Sequence, residues 1–342
     1  MAIAYVGGAK ALSNAADLFS LSVNYTPTIG NYVVAMVQLA AGNAFTDVAC
    51  ATSPYVENLT YSGGENIPAS VGIYVVYQFV CPVLSSSITA FNFSWTGGGG
   101  TGFTGSDSAV VTVAEYSGVG GVGTTNYANG TTSYYPSIAT TNTVANSWIV
   151  GVLAADNTQL GGNGFFADVG NLRLQECNTV YCCSGVFDNT AATTPASVTI
   201  TGQLEFGSPW AALTIELLPQ TLPQVTTEPE SNIGYTTTTG VGDITFVGAA
   251  FCSLVGFVWD TVSHASNPGN VAPISSGYPN VSTVGGEYTL GLYSLGLTGF
   301  SLGQTYYTRA VVENGLGYAY GNEVSFTMLV YKPSLVQYGL GI

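Results

Sequence analysis

The stretch 303–327, GQTYYTRAVVENGLGYAYGNEVSFT, decides the fold of its region. TYYTRAVVEN is rich in β-branched and aromatic residues. Asn314, Gly315 and Gly317 follow as turn residues, then LGYAY and NEVSFT. The spacing predicts two β-strands joined by a Gly-containing turn, with a third strand closing the unit. Working outward, GDITFVGAAF, SLVGFVWDT and GEYTLGLYS read as further strands of one small β-domain over residues 232–328. That size and strand number suit an immunoglobulin-like sandwich.

The run GLTGFSLGQTYYTRAVVENGLGYAYGNEVSF (296–326) resembles the C-terminal half of fibronectin type III-like repeats in bacterial and phage surface proteins. In those repeats a Gly-Leu-Thr-x-Gly-Thr-x-Tyr-Tyr-x-Arg-Ala run leads to an Asn-x-x-Gly turn and Gly-Asn-Glu-Val-Ser-Phe; this chain shares Gly-Leu-Thr at 296–298, Tyr-Tyr-x-Arg-Ala at 306–310, the turn at 314–317 and Gly-Asn-Glu-Val-Ser-Phe at 321–326. GFVWDT (256–261) matches that family's strand before a variable loop. Leu302 stands where the family has Pro. The resemblance implies that Tyr306 is a corner tyrosine, its hydroxyl bonded to backbone a few residues upstream. It also implies that Tyr306, Thr308, Ala310 and Val312 face the core, and Tyr307, Arg309 and Val311 face out.

Residues 1–219 read as a second, larger β-domain. LFSLSVNY, YVVAMVQLA, VGIYVVYQFV, ITAFNFSW, SAVVTVAEYS, NSWIVGVLAAD, LRLQE, VYCCSGVF, SVTITGQLEF and PWAALTIELLP are apolar runs of strand length bounded by Gly, Ser, Asn and Pro. YVVAMVQLA is continuous enough to be a central strand buried on two sides. About ten strands without an amphipathic helix predict a jelly-roll-like β-sandwich. AVVTVAEYSGV, SWIVGVLAAD and PWAALTIELLP give this region a looser resemblance to jelly-roll or concanavalin-like domains of phage structural proteins and bacterial adhesins. Gly97–Gly100 and Gly118–Gly123 are expected as loop tips. Pro219, Pro223 and Pro229 mark residues 220–231 as a Pro-rich linker. The apolar end, 329–342, is expected to be a tail, with a strand that docks on a sheet edge as the alternative.

Charged residues are 7% of the 342, and the net charge is −15. Lys10, Arg173, Arg309 and Lys332 are the only strongly basic residues, too few to neutralise a run of phosphates. Nucleic acid is therefore not an expected partner. No apolar run reaches the ~18 residues of a membrane-spanning helix, and no membrane insertion is expected. The N-terminus lacks the basic and apolar regions of a signal peptide. With an extracellular-looking composition, that predicts either a virion protein released by lysis or a chain already processed.

Motifs of catalysis fall away in context. Gly118, Gly120 and Gly123 fit G-x-G-x-x-G, but turn and β residues follow where a phosphate-binding helix is needed. Gly299, Ser301 and Gly303 fit G-x-S-x-G, but as the turn before the Tyr306 strand. His264 is the single histidine, and it lies upstream of that serine. It is read as a solvated loop residue. Asp156-Asn157 and Asp188-Asn189 offer oxygen ligands for calcium without any EF-hand spacing. Glu115, Glu176, Glu205 and Glu216 lie on predicted strands, yet no spacing selects a glycosidase pair. Neither a cofactor, a metal nor a catalytic residue is expected.

The chain has 22 Tyr and four Trp, suited to sugar stacking, to interfaces or simply to strands. Trp148, Trp210 and Trp259 lie in apolar runs and are expected in the core. Trp95, Tyr134 and Tyr135 are the candidate surface-binding aromatics. Of six cysteines, Cys177 and Cys182 flank a four-residue turn, Asn178–Tyr181, and can form a cross-strand disulfide; buried reduced thiols are the other reading. The sequence thus predicts a non-enzymatic structural or adhesive surface protein, in a virion or extracellular. Its partners would be copies of itself, other virion or surface proteins, or a cell-surface glycan. A secreted carbohydrate-binding protein is the alternative.

Overall fold

The computed structural model describes residues 2–13, 18–41, 45–54, 59–67, 73–97, 108–156, 164–177, 182–191 and 193–331. The chain is all-β and forms two compact units, 1–220 and 221–342.

Unit one holds two sandwiches where the sequence suggested one. The first comprises β1 (Ala4–Ser13), β2 (Ser20–Asn24), β3 (Tyr32–Ala41), β4 (Phe45–Ser53), β5 (Thr60–Ile67), β6 (Ile73–Pro82), β7 (Ala90–Gly97) and β8 (Ser108–Ser117). Its sheets run β1-β8-β3-β6-β5 and β2-β7-β4. The second comprises β9 (Val119–Ser133), β10 (Ser137–Thr141), β11 (Ser147–Asp156), β12 (Phe165–Val169), β13 (Asn171–Cys177), β14 (Cys182–Ala191), β15 (Ser197–Leu204) and β16 (Ser208–Pro219). Its sheets run β9-β16-β11-β14-β13 and β10-β15-β12, the same order strand for strand. In each, strand one pairs with eight, two with seven and three with six, the rolled pairing of a jelly roll. Strand five joins the larger sheet beside strand six. The correspondence extends to detail. A bulge interrupts β5 between Tyr61 and Gly63, and another interrupts β13 between Leu172 and Leu174.

Each roll has its own core. Val33, Ala35, Val37 and Leu39 of β3 meet Phe91, Phe93 and Trp95 of β7. Ile149, Leu153 and Ala155 of β11 meet Val198, Ile200 and Leu204 of β15. The opposite faces are buried too. Val34, Met36, Gln38 and Ala40, and Val150, Val152 and Ala154, are all inaccessible to solvent. They are covered because the two five-stranded sheets pack on each other. Across that seam the Gln38 amide donates to the Ala155 carbonyl at 2.9 Å. Tyr116 meets Trp148 edge to face at 6.1 Å.

Six strands of this unit lay outside the ten expected segments: β1, β4, β5, β9, β10 and β12. Several carry Gly, Ser, Thr and Asn in place of an apolar run. The clearest is β9, which contains Gly120, Gly121 and Gly123, so Gly118–Gly123 is not a loop tip. Only Gly118 takes a left-handed φ, +72°, beside the Ala2 carbonyl, where a Cβ would collide. Gly98–Gly100 of the other expected tip lie outside the described residues.

Unit two comprises β17 (Gln224–Ser231), β18 (Thr237–Phe246), β19 (Cys252–Asp260), β20 (Asn280–Tyr288), β21 (Gly291–Thr298), β22 (Thr305–Asn314), β23 (Gly317–Tyr320) and β24 (Val324–Thr327). The sheet β17-β18-β21 faces β20-β19-β22-β23, with β24 also along β22. This is a fibronectin type III-like strand order. The proposed Pro-rich linker is corrected: residues 224–231 are an edge strand, a place where Pro229 costs no ladder bond to a second neighbour. GEYTLGLYS is not one strand; it spans the end of β20 and the start of β21.

Tyr306 is buried against Phe300 and Phe326, and its hydroxyl accepts the Ser301 N–H at 3.0 Å. Thr308, Ala310 and Val312 are buried on β22 as well. The outward assignment of Arg309 and Val311 is wrong, however. Both are buried, Arg309 at 4% exposure, because residues 261–279 lie over that face with Tyr278 packed among Val258, Val311 and Tyr320. Residues 332–342 of the expected tail or docking strand lie outside the described residues.

The disulfide also differs from the expected pair. Cys177 bonds Cys183, and Cys182 is a buried thiol outside that bond. In the ladder Cys177 lies opposite Cys183, whereas Cys182 is one residue away and faces the other side of the sheet. The turn 178–181 lies outside the described residues.

Two measurements check this fold. A fragment of residues 118–220 alone should expose Val150, Val152 and Leu213; gel filtration and dye binding should show association or a dye-binding apolar surface, both relieved by adding residues 1–117. Peptide mapping without reductant should find Cys177 linked to Cys183, with the link kept in Cys182→Ser and lost in Cys177→Ser.

Candidate functional site

Two buried carboxylates anchor equivalent loops of the two rolls. Glu115 on β8 accepts from the Thr28 N–H at 2.9 Å, the Asn31 amide and the Tyr25 hydroxyl at 2.6 Å. Glu216 on β16 accepts from the N–H groups of Thr143 at 2.7 Å and Val144 at 3.2 Å, and from the Thr143 hydroxyl at 2.8 Å. Burial raises the Glu216 pKa, but the N–H donations of Thr143 and Thr124 outweigh it and leave the carboxyl below its ordinary range. These acceptors tie the loop between strands two and three to strand eight. Their oxygens are spent on structure. Glu176 pairs with Lys10 at 3.0 Å, and Glu205 lies in the turn before β16.

A second polar cluster sits in the seam between the rolls. Arg173 is the extra residue of the β13 bulge, and its Nε donates to the fully buried Asp188 at 2.6 Å. The Asn171 amide, at 3.1 Å, and the Tyr116 hydroxyl, at 3.3 Å, donate to the same carboxylate. The guanidinium lies 5.0 Å from the Tyr5 ring centroid and 5.9 Å from that of Trp148. Asp188 therefore stands on a strand, paired, and not in a calcium loop. Asn157 of the other proposed calcium loop lies outside the described residues. Beside this cluster a cleft of about 430 Å³ is lined by Ala2, Ile3, Asn146, Trp148, Thr190, Ala191 and Pro219.

The candidate aromatics divide. Trp95 is 3% exposed and donates its indole N–H to the Leu18 carbonyl at 2.8 Å, so it is a core residue and not a surface platform. The signal was present: Phe91, Phe93 and Trp95 alternate with Asn92 and Ser94 on one strand face. Tyr134 and Tyr135 are 55% and 53% exposed in the turn between β9 and β10. The Tyr134 ring lies beside Gly207, next to the exposed Phe206, so three aromatics share one end of the second roll. Of the tryptophans expected in the core, Trp259 is buried, whereas Trp148 and Trp210 are half-buried.

In unit two the single histidine is built into a network and is not merely solvated. His264 Nε2 lies 2.9 Å from an Asp260 oxygen, and its ring packs 4.3 Å from that of Tyr278. The Ser263 hydroxyl, the His264 N–H and the Tyr278 hydroxyl all donate to Glu323, at 2.6, 2.8 and 2.6 Å. Arg309 donates to Tyr278, to the Gly321 carbonyl and to the His264 carbonyl. Ser, His and acid are all present, but the serine hydroxyl donates to Glu323 and the imidazole engages Asp260. Ser301 of the G-x-S-x-G match gives its N–H to Tyr306. Among the described residues, no group of three or more His, Cys, Asp or Glu side chains is placed to hold a metal ion.

No known protein family matches the sequence, and no curated protein does. Among solved structures, the chain is similar to the sensor domain of the anti-sigma factor RsgI4 of Pseudobacteroides cellulosolvens, at 16% identity over 32% of this chain and 98% of that one, TM-score 0.23. It is also similar to the FN1–FN3 domains of chicken CNTN1, at 9% identity over 95% and 99%, TM-score 0.22. Domains A168–A170 of titin match at 12% identity over 94% and 99%, TM-score 0.22. Likeness this loose carries no argument, and the fold assignment stands on strand order.

Glu230 of β17 gives a pH test. Both its carboxyl oxygens are buried without a partner on any other described residue, and burial raises its pKa from 4.5 to about 7. The folded state thus holds a proton that the unfolded state releases near pH 4.5, and stability falls as pH rises from there to about 7. Glu230→Gln removes that titration. In urea denaturation it should match the parent at pH 4 and exceed it at pH 8, by on the order of 2 kcal/mol.

Proposed function

We propose that this chain is a non-enzymatic structural and adhesive protein of a virion or comparable extracellular particle, contacting copies of itself, neighbouring surface proteins or a host-cell glycan. The observation that carries the reading is the pair of jelly rolls with one strand order, joined through their larger sheets and followed in the chain by a fibronectin type III-like sandwich. Jelly rolls are a recurrent unit of capsids and of lectins.

The chemistry agrees with it. Lys10 and Arg173 are each paired with a carboxylate, and Arg309 is buried, which leaves no unpaired cation among the described residues to meet phosphates. Glu115 and Glu216 hold loops and are not poised about a sugar bond. A surface of neutral hydroxyls and amides meets repeated neighbours at a low cost of desolvating ions. The exposed Tyr134, Tyr135 and Phe206 favour a second reading, a secreted carbohydrate-binding protein, since flat amphipathic rings suit sugars.

Electron microscopy of native particles with an antibody to this chain tests the reading. Regular labelling of a particle surface is expected. A chain that stays monomeric at high concentration and is absent from every purified particle would overturn the assembly role.

A further inference from the structure

The cleft beside Trp148 supports an inference that does not depend on the particle role. Its volume of about 430 Å³ falls in the range of small-molecule sites. Trp148 forms one wall, met edge-on by Tyr116 and flanked by the Arg173 guanidinium. Asp188 is hydrogen-bonded to both of those neighbours, so the indole is held from behind. Ala2, Ile3, Ala191 and Pro219 add apolar wall. Asn146 and Thr190 supply an amide and a hydroxyl, and neither side chain bonds another described residue. Arg173 and Asp188, the ions beside the cleft, neutralise each other at 2.6 Å.

The first roll provides an internal control. Tyr32 occupies the register position of Trp148, and Pro82 that of Thr190. Tyr32 is 9% exposed, and proline offers neither a hydroxyl nor an N–H. The same strands in the same sheet thus fold with a buried ring and no polar side chain there. The fold does not require the half-buried indole and the hydroxyl of the second roll.

We propose that this cleft binds one neutral pyranose unit of a glycan, the CH-rich face of the ring on the Trp148 indole and its hydroxyls on Asn146 and Thr190. A single aromatic wall with separate hydroxyl and amide groups suits a ring that has one apolar face and a hydroxyl rim. A nucleobase, flat on both faces, would leave one face without a stacking partner. Among the described residues no unpaired ion borders the cleft, which selects against acidic sugars and phosphosugars.

Saturation-transfer NMR on the full chain, with the methyl pyranosides of glucose, galactose, mannose and N-acetylglucosamine as probes and adenosine as competitor, tests the site. At least one pyranoside should show transfer, and Trp148→Ala should weaken it by about tenfold or more. Because Trp148→Ala also loosens the seam, Asn146→Gly and Thr190→Val carry the decisive result. Glycine accepts the φ of +62° at position 146, and valine is nearly isosteric with threonine. Each should weaken binding several-fold with an unchanged melting curve, and the pair of Tyr134→Ala and Tyr135→Ala should leave it intact. The proposal is overturned by no transfer from any pyranoside, by binding that survives Asn146→Gly with Thr190→Val, by loss that follows Tyr134 and Tyr135, or by adenosine binding more tightly than every sugar.

Discussion

Residues 33–40 of β3 and 149–155 of β11 are buried on both faces of their sheets, and each second face needs a cover. In an antiparallel sandwich one face ordinarily meets the core and the other meets water. Here Val34, Met36, Val150 and Val152 would place apolar side chains in solvent if either roll stood alone, at ~25 cal/mol for each Å² exposed. Packing sheet against sheet removes that surface. Unit two meets the same constraint by local means, since Val258 and Val311 are covered by the segment 261–279 and not by another sheet.

Covering an apolar face with a polar segment brings buried polar groups with it, and these need partners. Arg309 answers this in unit two by donating to Tyr278 and to two carbonyls. Arg173 answers it at the edge of the seam, where the β13 bulge turns it onto Asp188. The equivalent bulge in β5 places Ser62 at the corresponding position, so the two rolls share the backbone irregularity while the second uses it for an ion pair. Glu115 and Glu216 show the opposite case, in which both rolls keep the same residue type for the same task of holding the loop into strand three.

Much of the strand pattern was legible. Phe91, Phe93 and Trp95 alternate, and YVVAMVQLA reads as a strand buried on two sides, because side-chain period and apolar content are local properties. The duplication was harder to see. Tyr32 and Trp148, or Pro82 and Thr190, are equivalent in register without being alike in chemistry, and the edge strands β1 and β9 are written in Gly, Ala, Thr and Asn. Such strands gain their stability from one neighbour's ladder and from partial burial, so their composition resembles that of loops. The same ambiguity made the edge strand β17 look like a linker through its prolines.

By itself the sequence determined the all-β class, the small sandwich at the end and the corner role of Tyr306, each set by periodicity or by a motif within a few tens of residues. Only the tertiary structure decided that the large unit is two jelly rolls, that Cys177 meets Cys183, that Trp95 is core while Trp148 lines a cleft, and that Arg309 is buried. Those outcomes depend on what lies across a second face or one step along a ladder. A strand's sequence specifies which side chains share a face, but the surface that covers the face comes from residues far away in the chain.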